Sequence, residues 1–173
     1  MGNPHSVDLS VLFLREIDAL VREVDLYPTD AAVWKEIPGV PNTGGTLVLH
    51  LVGNLRFFIG STIGSGDYVR DREAEFALRG VPRATLRSVI ATARREVEMG
   101  LTQLSTSMLE APFPVAVGGR QMSTQLFVLH LLSHLAYHLG QIDYHRRAST
   151  GDSRAANALP LANLGEASGQ PKS

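Results

Sequence analysis

Val128-Leu129-His130-Leu131-Leu132-Ser133-His134-Leu135-Ala136-Tyr137-His138-Leu139-Gly140-Gln141 carries three of the chain's six histidines, one at every fourth residue, in an otherwise apolar run. An α-helix turns about 100° per residue, so these imidazoles share one face, a turn apart. Imidazoles stacked on an apolar helix face are either metal ligands or buried polar groups that each need a partner. His134 and His138 are separated by about 6 Å along the axis, close enough for both rings to reach one ion at about 2.0–2.1 Å. Zincin helices use the same spacing, but Leu-Ala-Tyr intervenes here and supplies no glutamate base, so that mechanism is not implied. A third imidazole, His50, falls on the apolar face of another helical segment with Leu47, Leu51 and Asn54. In a four-helix bundle inward side chains of different helices can meet in the core. His50, His134 and His138 would then form a three-histidine site with open positions for water or substrate. Nitrogen donors suit zinc, nickel or iron(II) better than magnesium or calcium, and open positions mark a catalytic rather than a purely structural ion.

The neighbouring polar residues sort by reach. His130 continues the stripe but lies about 12 Å along the axis from His138, which leaves it a core or supporting role behind the ligands. Asn54 and Gln141 offer side-chain carbonyls that could take the second ring N–H of a ligating histidine, or simply make structural hydrogen bonds. Glu16, at the edge of the first apolar face, could be a fourth ligand or general base, but is read as a surface glutamate. His145 falls near a helix end, where a cation complements the helix dipole, and His5 falls in the N-terminal stretch, where it is expected to be exposed. Two histidines four residues apart cannot lie on opposite sides of one haem iron, so haem is disfavoured. The chain has no cysteine, which excludes disulfides, thiolate zinc sites and a thiol nucleophile of its own.

Four helical segments must position these groups. The first is expected over about residues 7–26, with Leu14, Ile17, Val21 and Val24 at helical spacing and a stop before Tyr27-Pro28. The second, over about 43–63, carries His50 and is capped by Asn42 or Thr43. The third starts near Pro82 and holds Leu86, Ile90, Ala93, Val97, Leu101, Leu104 and Met108 in register. The fourth, 123–147, carries the histidine ladder. Phe113–Val117 is the only stretch that reads as extended. Four long amphipathic segments without strand partners define an all-α four-helix bundle over residues 1–148. Residues 149–173 form a polar tail, either partly disordered or strapped over the bundle through Leu159, Leu161 and Leu164.

Composition narrows the partners. The 173 residues suffice for one domain with a sizeable core, and 16 basic residues nearly balance 17 acidic ones. That balance gives no electrostatic ground for a nucleic acid or an anionic membrane. The pairs Arg94-Arg95 and Arg146-Arg147 are expected on solvated helix faces. Acidic residues interrupt the N-terminal apolar residues, so no signal segment is expected, and no apolar run approaches the roughly 18 residues of a span. A cytoplasmic location follows as the expectation.

Three pieces of the chain resemble the DinB-like superfamily of bacterial four-helix proteins, also called DinB/YfiT-like. They are Leu49-His50-Leu51-Val52-Gly53-Asn54-Leu55-Arg56, Arg70-Asp71-Arg72-Glu73-Ala74-Glu75-Phe76, and His134-Leu135-Ala136-Tyr137-His138-Leu139-Gly140-Gln141-Ile142. The resemblance covers about residues 7–148 and is most specific in the H-x-x-x-H-x-G-Q segment. It implies an up-down-down-up bundle with one longer crossover connection, and a divalent transition metal, zinc or nickel foremost, on His50, His134 and His138. It also implies a homodimer and a small-molecule substrate, with relatives that include transferases and isomerases using mycothiol, bacillithiol or glutathione. Leu139 stands where many relatives carry arginine, which removes any anion contact made there. The function so implied is metal-dependent transfer chemistry, a low-molecular-weight-thiol S-transferase ahead of a hydrolase. In that chemistry Arg56 or Arg70 could hold a substrate carboxylate. The alternative is a non-enzymatic metal-binding or stress-associated helical module.

Overall fold

Leu9, Phe13, Ile17, Leu20 and Val24 recur at three- and four-residue intervals, and all five are buried on one face of α1, Pro4–Leu26. The computed structural model describes residues 4–158 together with residues 160, 161 and 164. After α1 these form α2 (Asp30–Val33), α3 (Gly44–Leu55), α4 (Arg72–Ala77), α5 (Arg83–Thr102), α6 (Thr106–Glu110) and α7 (Thr124–Thr150). Among the described residues there is no strand, only isolated bridges, and no helix is long and apolar enough to cross a membrane. Thr43 rather than Asn42 caps α3, its Oγ1 accepting the Thr46 N–H at 3.2 Å. Ser123 caps α7 in the same way through the Leu126 N–H. Gly151, at φ +72°, ends α7 in the left-handed conformation that glycine adopts freely.

Two helices depart from their expected course. The second is not α-helical as far as residue 63 but passes at Arg56 into a π-helical turn, Arg56–Ser61. There the Thr62 N–H and the Thr62 hydroxyl both donate to the Phe57 carbonyl at 2.9 Å. The widened turn is pressed against α5, where a Cβ on Gly100 would overlap the Ile59 carbonyl. Helical periodicity cannot reveal it, because the extra residue per turn is accommodated by this contact rather than by local preference. The third helix, expected to run through Met108, stops at Thr102, and Ser105 caps α6 as a separate turn. The extended piece near 113–117 makes isolated bridges, Pro112 with Ser123 and Val117 with Arg120. It folds back around Gly118 and Gly119, both at positive φ.

Contacts between named residues set the directions of the long helices. Asp18 pairs with Arg94 and Asp25 with Arg87, so α1 and α5 are antiparallel. Glu23 pairs with Arg146, and Glu16 shares a cavity with Ala136 and Leu139, so α1 and α7 are parallel. Gly44 abuts His145 while His50 meets His134, so α3 and α7 are antiparallel. Arg56 pairs with Glu96 and Ile59 lies on Gly100, so α3 and α5 are parallel. The order is up-down-down-up. Two parallel neighbours in sequence need a connection that travels back along the bundle, and residues 62–82 make it, carrying α4 on the way.

Charge is less superficial than composition suggests. Arg146, expected on a solvated face, is fully buried. Its guanidinium donates to Glu23 at 2.6 Å, to Asp143 at 2.8 Å and to the carbonyls of Asp152 and Arg154. A buried guanidinium is tolerated only when its donors are satisfied in this way. Those carbonyls belong to residues 151–158, which lie along α1 and α7. Arg22 donates to Ala156 O at 2.7 Å and Arg147 to Ser153 O at 2.6 Å. Leu161 and Leu164 are exposed rather than strapped down, and Leu159 lies outside the described residues. Glu16, expected at the surface, is also buried and pairs with Arg15 at 2.6 Å. It faces the side of α7 that carries Leu139 and Asp143, away from the histidines.

Candidate metal centre

α3 brings His50 and α7 brings His134 and His138 to one point between the two helices. His50 Nε2 and His134 Nε2 are 3.1 Å apart. The His138 ring stands edge-on to both, with centroids 4.5 Å from His134 and 5.3 Å from His50. One nitrogen from each of the three lies within 4.8 Å of the others. Two nitrogens held by one ion at about 2.0–2.1 Å are separated by about 2.9–3.4 Å for octahedral to tetrahedral angles. The His50–His134 spacing falls in that interval.

Outer partners fix the tautomers. The His50 Nδ1–H donates to Glu75 Oε2 at 3.0 Å, and the His138 Nδ1–H donates to Gln141 Oε1 at 2.6 Å. Each hydrogen bond leaves the Nε2 lone pair free to aim at the shared point. Glu75 is itself held by Arg70, whose Nε and Nη2 reach its two oxygens at 2.7 and 2.8 Å. Gly53 makes room for this carboxylate, since a Cβ there would collide with Glu75 Oε1. Two buried side-chain atoms lack a hydrogen-bond partner among the described residues, His134 Nδ1 and Asn54 Oδ1. Both residues line one cavity of about 250 Å³ beside the cluster. An N–H on His134 and the Asn54 carbonyl are complementary groups that one bridging water would satisfy.

The electrostatics keep His134 and His138 neutral. Burial, then the neighbouring imidazoles of His138, His50 and His130, push the pKa of His134 down to about 4. Burial, with His50, also lowers that of His138. Burial raises the Glu75 carboxyl, but the hydrogen bonds from Arg70 and His50 outweigh it and leave it below its ordinary value. At neutral pH His134 and His138 are therefore unprotonated imidazoles in a cluster backed by an ionised carboxylate, donors of the kind a borderline transition metal takes.

The sequence alone assigns Glu75 no role, although its segment, residues 70–76, carries part of the family resemblance. It sits 25 residues from His50 on a short helix whose N-terminus Asp71 caps through the Ala74 N–H. A glycine on the ligand-bearing helix one turn after His50 is the local signal that another chain segment approaches there. His130 is exposed; its ring stacks on Phe127, with centroids 5.9 Å apart, and stands 6.3 Å from His134. Arg56 and Arg70, read as carboxylate binders, are already committed: Arg56 makes two bonds to Glu96 and Arg70 two to Glu75. Arg72, which lines the cavity beside the cluster, stacks over Phe76 at 5.0 Å instead. His145 is no helix-end cation. Its Nε2–H donates to Lys35 O at 2.8 Å, its Nδ1 accepts from the Tyr27 hydroxyl at 2.7 Å, and burial lowers its pKa.

The up-down-down-up helical bundle is of the DinB-like fold class. A crystal structure of a DinB-like protein from Bacillus cereus ATCC 10987 matches the fold with a TM-score of 0.63, at 17% identity over 79% of this chain and 87% of that one. The sequence profile of the mycothiol-S-transferase family matches residues 9–151, and the chain belongs to that family. No curated protein matches it.

Proposed function

We propose that this protein is a metal-dependent S-transferase for a low-molecular-weight thiol of the mycothiol type. The observation that carries the reading is the convergence of three imidazoles with one nitrogen each within 4.8 Å of the others, two of them with Nδ1–H held by Glu75 and Gln141. His50, His134 and His138 would hold a divalent ion, zinc or nickel first. Such an ion lowers the pKa of a bound thiol and keeps it as thiolate at neutral pH. Glu75, through His50, and Gln141, through His138, orient the ligands; Asn54 and His130 stand behind His134. The reaction transfers the thiol sulfur to an electrophilic carbon. The S–H proton passes to solvent, an S–C bond forms, and the leaving group departs with the electrons of the bond it breaks. The absence of cysteine agrees with a nucleophile brought by the co-substrate. We place the activity in the cytoplasm, where such thiols are kept reduced. The protein is also proposed to act as a homodimer, supported by Leu126, Leu129, Tyr137 and Tyr144, which lie exposed on α7.

The test is elemental analysis and thiol titration of the purified protein beside His134→Ala and His138→Ala. The expected outcome is about one ion per chain in the parent, loss of it in both variants, and thiol binding only in the loaded parent. Full metal content in both variants, or a loaded parent that neither binds mycothiol nor transfers it, overturns the reading.

A further inference from the structure

The histidine cluster is flanked by two cavities of opposite character. One, already described, opens toward the N-terminal part of α7 and is lined by Arg70, Arg72 and His130 as well as His50 and His134. The other, of about 390 Å³, lies toward the C-terminal part of α7. Its walls include Ile37, Val40, Leu47, Tyr144 and Ala148, with the uncharged amide of Asn42 among them. No Asp, Glu, Lys or Arg side chain lines it, and His145, which does, is held neutral by Tyr27 and Lys35. Its size lies within the range of small-molecule sites.

Gln141 joins this cavity to the cluster. It lines the apolar wall and accepts the His138 Nδ1–H through Oε1. The opposite amide orientation would place Nε2 against Nδ1 and move the ring proton to the face that aims at the shared point, so the oxygen must face His138. The Nε2 amide then has no hydrogen-bond partner among the described residues and presents two donors on the cavity side. Leu47 makes the same junction on α3, three residues before His50.

We propose that this second cavity is the subsite for the electrophile, and that it takes an uncharged, largely apolar group, aryl or alkyl, carrying one hydrogen-bond acceptor for Gln141. The inference rests on the S-transferase reading above. A reaction between two substrates needs a place for each; none of the three cluster histidines lines this cavity, which meets the cluster through Gln141 and Leu47 at the end of α7 opposite the cationic one. The cationic cavity suits a polar or anionic body, whereas a charge carried into the uncharged one would lose its hydration with no partner in return.

Calorimetric titration of the zinc-loaded full chain with 2,4-dinitrotoluene and with its carboxylate counterpart 2,4-dinitrobenzoate separates the cases. The neutral ring is expected to bind about tenfold or more tightly than the carboxylate. Ala148→Trp, on the exposed side of α7, and Val40→Trp, on the opposing loop, fill the cavity. Each should weaken the neutral ring about tenfold while zinc content and titration with N-acetylcysteine stay as in the parent. With 1-chloro-2,4-dinitrobenzene as electrophile, Ala148→Trp should raise its KM and leave the KM of the thiol unchanged. No binding of the neutral ring, equal binding of the carboxylate, or binding undiminished in both variants overturns the proposal. A chain that binds the neutral ring in this cavity but takes no thiol keeps the subsite and sinks the S-transferase reading; one that takes thiol but no ring does the reverse.

Discussion

Two of the three imidazoles of the cluster, His50 and His138, depend on an atom outside it. Glu75 illustrates this, since its carboxylate fixes the His50 tautomer and is in turn clamped by Arg70. Glu75→Gln keeps an oxygen that can accept the Nδ1–H but removes the charge that makes the ring a better donor to metal, and it strips Arg70 of its counter-ion. The expected outcome is a loss of about 10–100-fold in zinc affinity, measured by competition with a chromophoric chelator; unchanged affinity would remove Glu75 from the site. The pH dependence has a definite sign. His134 titrates near 4 in the folded chain against 6.5 for a free ring, and His138 is also lowered. Between those values the unfolded chain binds more protons, so the metal-free protein loses stability as pH falls from about 6.5 toward 4 and is insensitive to these groups above that window. Glu75, also lowered, adds to the loss at the acid end. Melting temperatures of the metal-free protein from pH 8 to pH 4 check this, and a melting point that rises on acidification would contradict it.

At the scale of elements, the site is a product of helices that meet rather than of any helix alone. His134 and His138 share a face because the α-helix repeats every 3.6 residues, a local property that sequence displays. The π-helical turn that follows α3 and the break between α5 and α6 are not local in that sense. The turn is seated on Gly100, which lies some 40 positions further on and tolerates no side chain against the Ile59 carbonyl. Gly100→Ala is expected to force the two helices apart at that contact and to destabilise the fold by about 1–3 kcal/mol. Thermal melting reads this directly, and an unchanged melting point would show that the π turn can relax into an ordinary helix.

The whole molecule couples a bundle, a strap and an exposed helix face. Arg146, with Glu23 and Asp143, anchors residues 151–158 through their backbone carbonyls. Such anchoring depends on where the strap runs rather than on its side chains. The exposed α7 residues Leu129 and Tyr137 lie about two turns apart along the helix that carries the ladder. If two copies meet there, Tyr137→Glu with Leu129→Glu should convert a dimer into a monomer in light scattering without altering zinc content. A parent that is already monomeric at working concentration would dispose of the interface.

Several properties were determined by sequence alone because they are set within a few residues. The helical class, the shared face of His134 and His138, the stop before Tyr27-Pro28 and the lack of a cysteine nucleophile are of this kind. The segment 70–76 was noticeable in sequence, yet the role of Glu75 was not, since nothing in a helical repeat says which distant carboxylate will enter the space above Gly53. Arg146 and Glu16 were misread as surface groups for the same reason: a charged residue looks solvated until the partner that permits its burial is in place. Only the tertiary structure decided that Arg56 and Arg70 are spoken for, that His145 is a neutral core residue, and that an uncharged cavity adjoins the cluster through Gln141. Local spacing chooses a face of a helix, whereas pairing and desolvation depend on which faces are brought together.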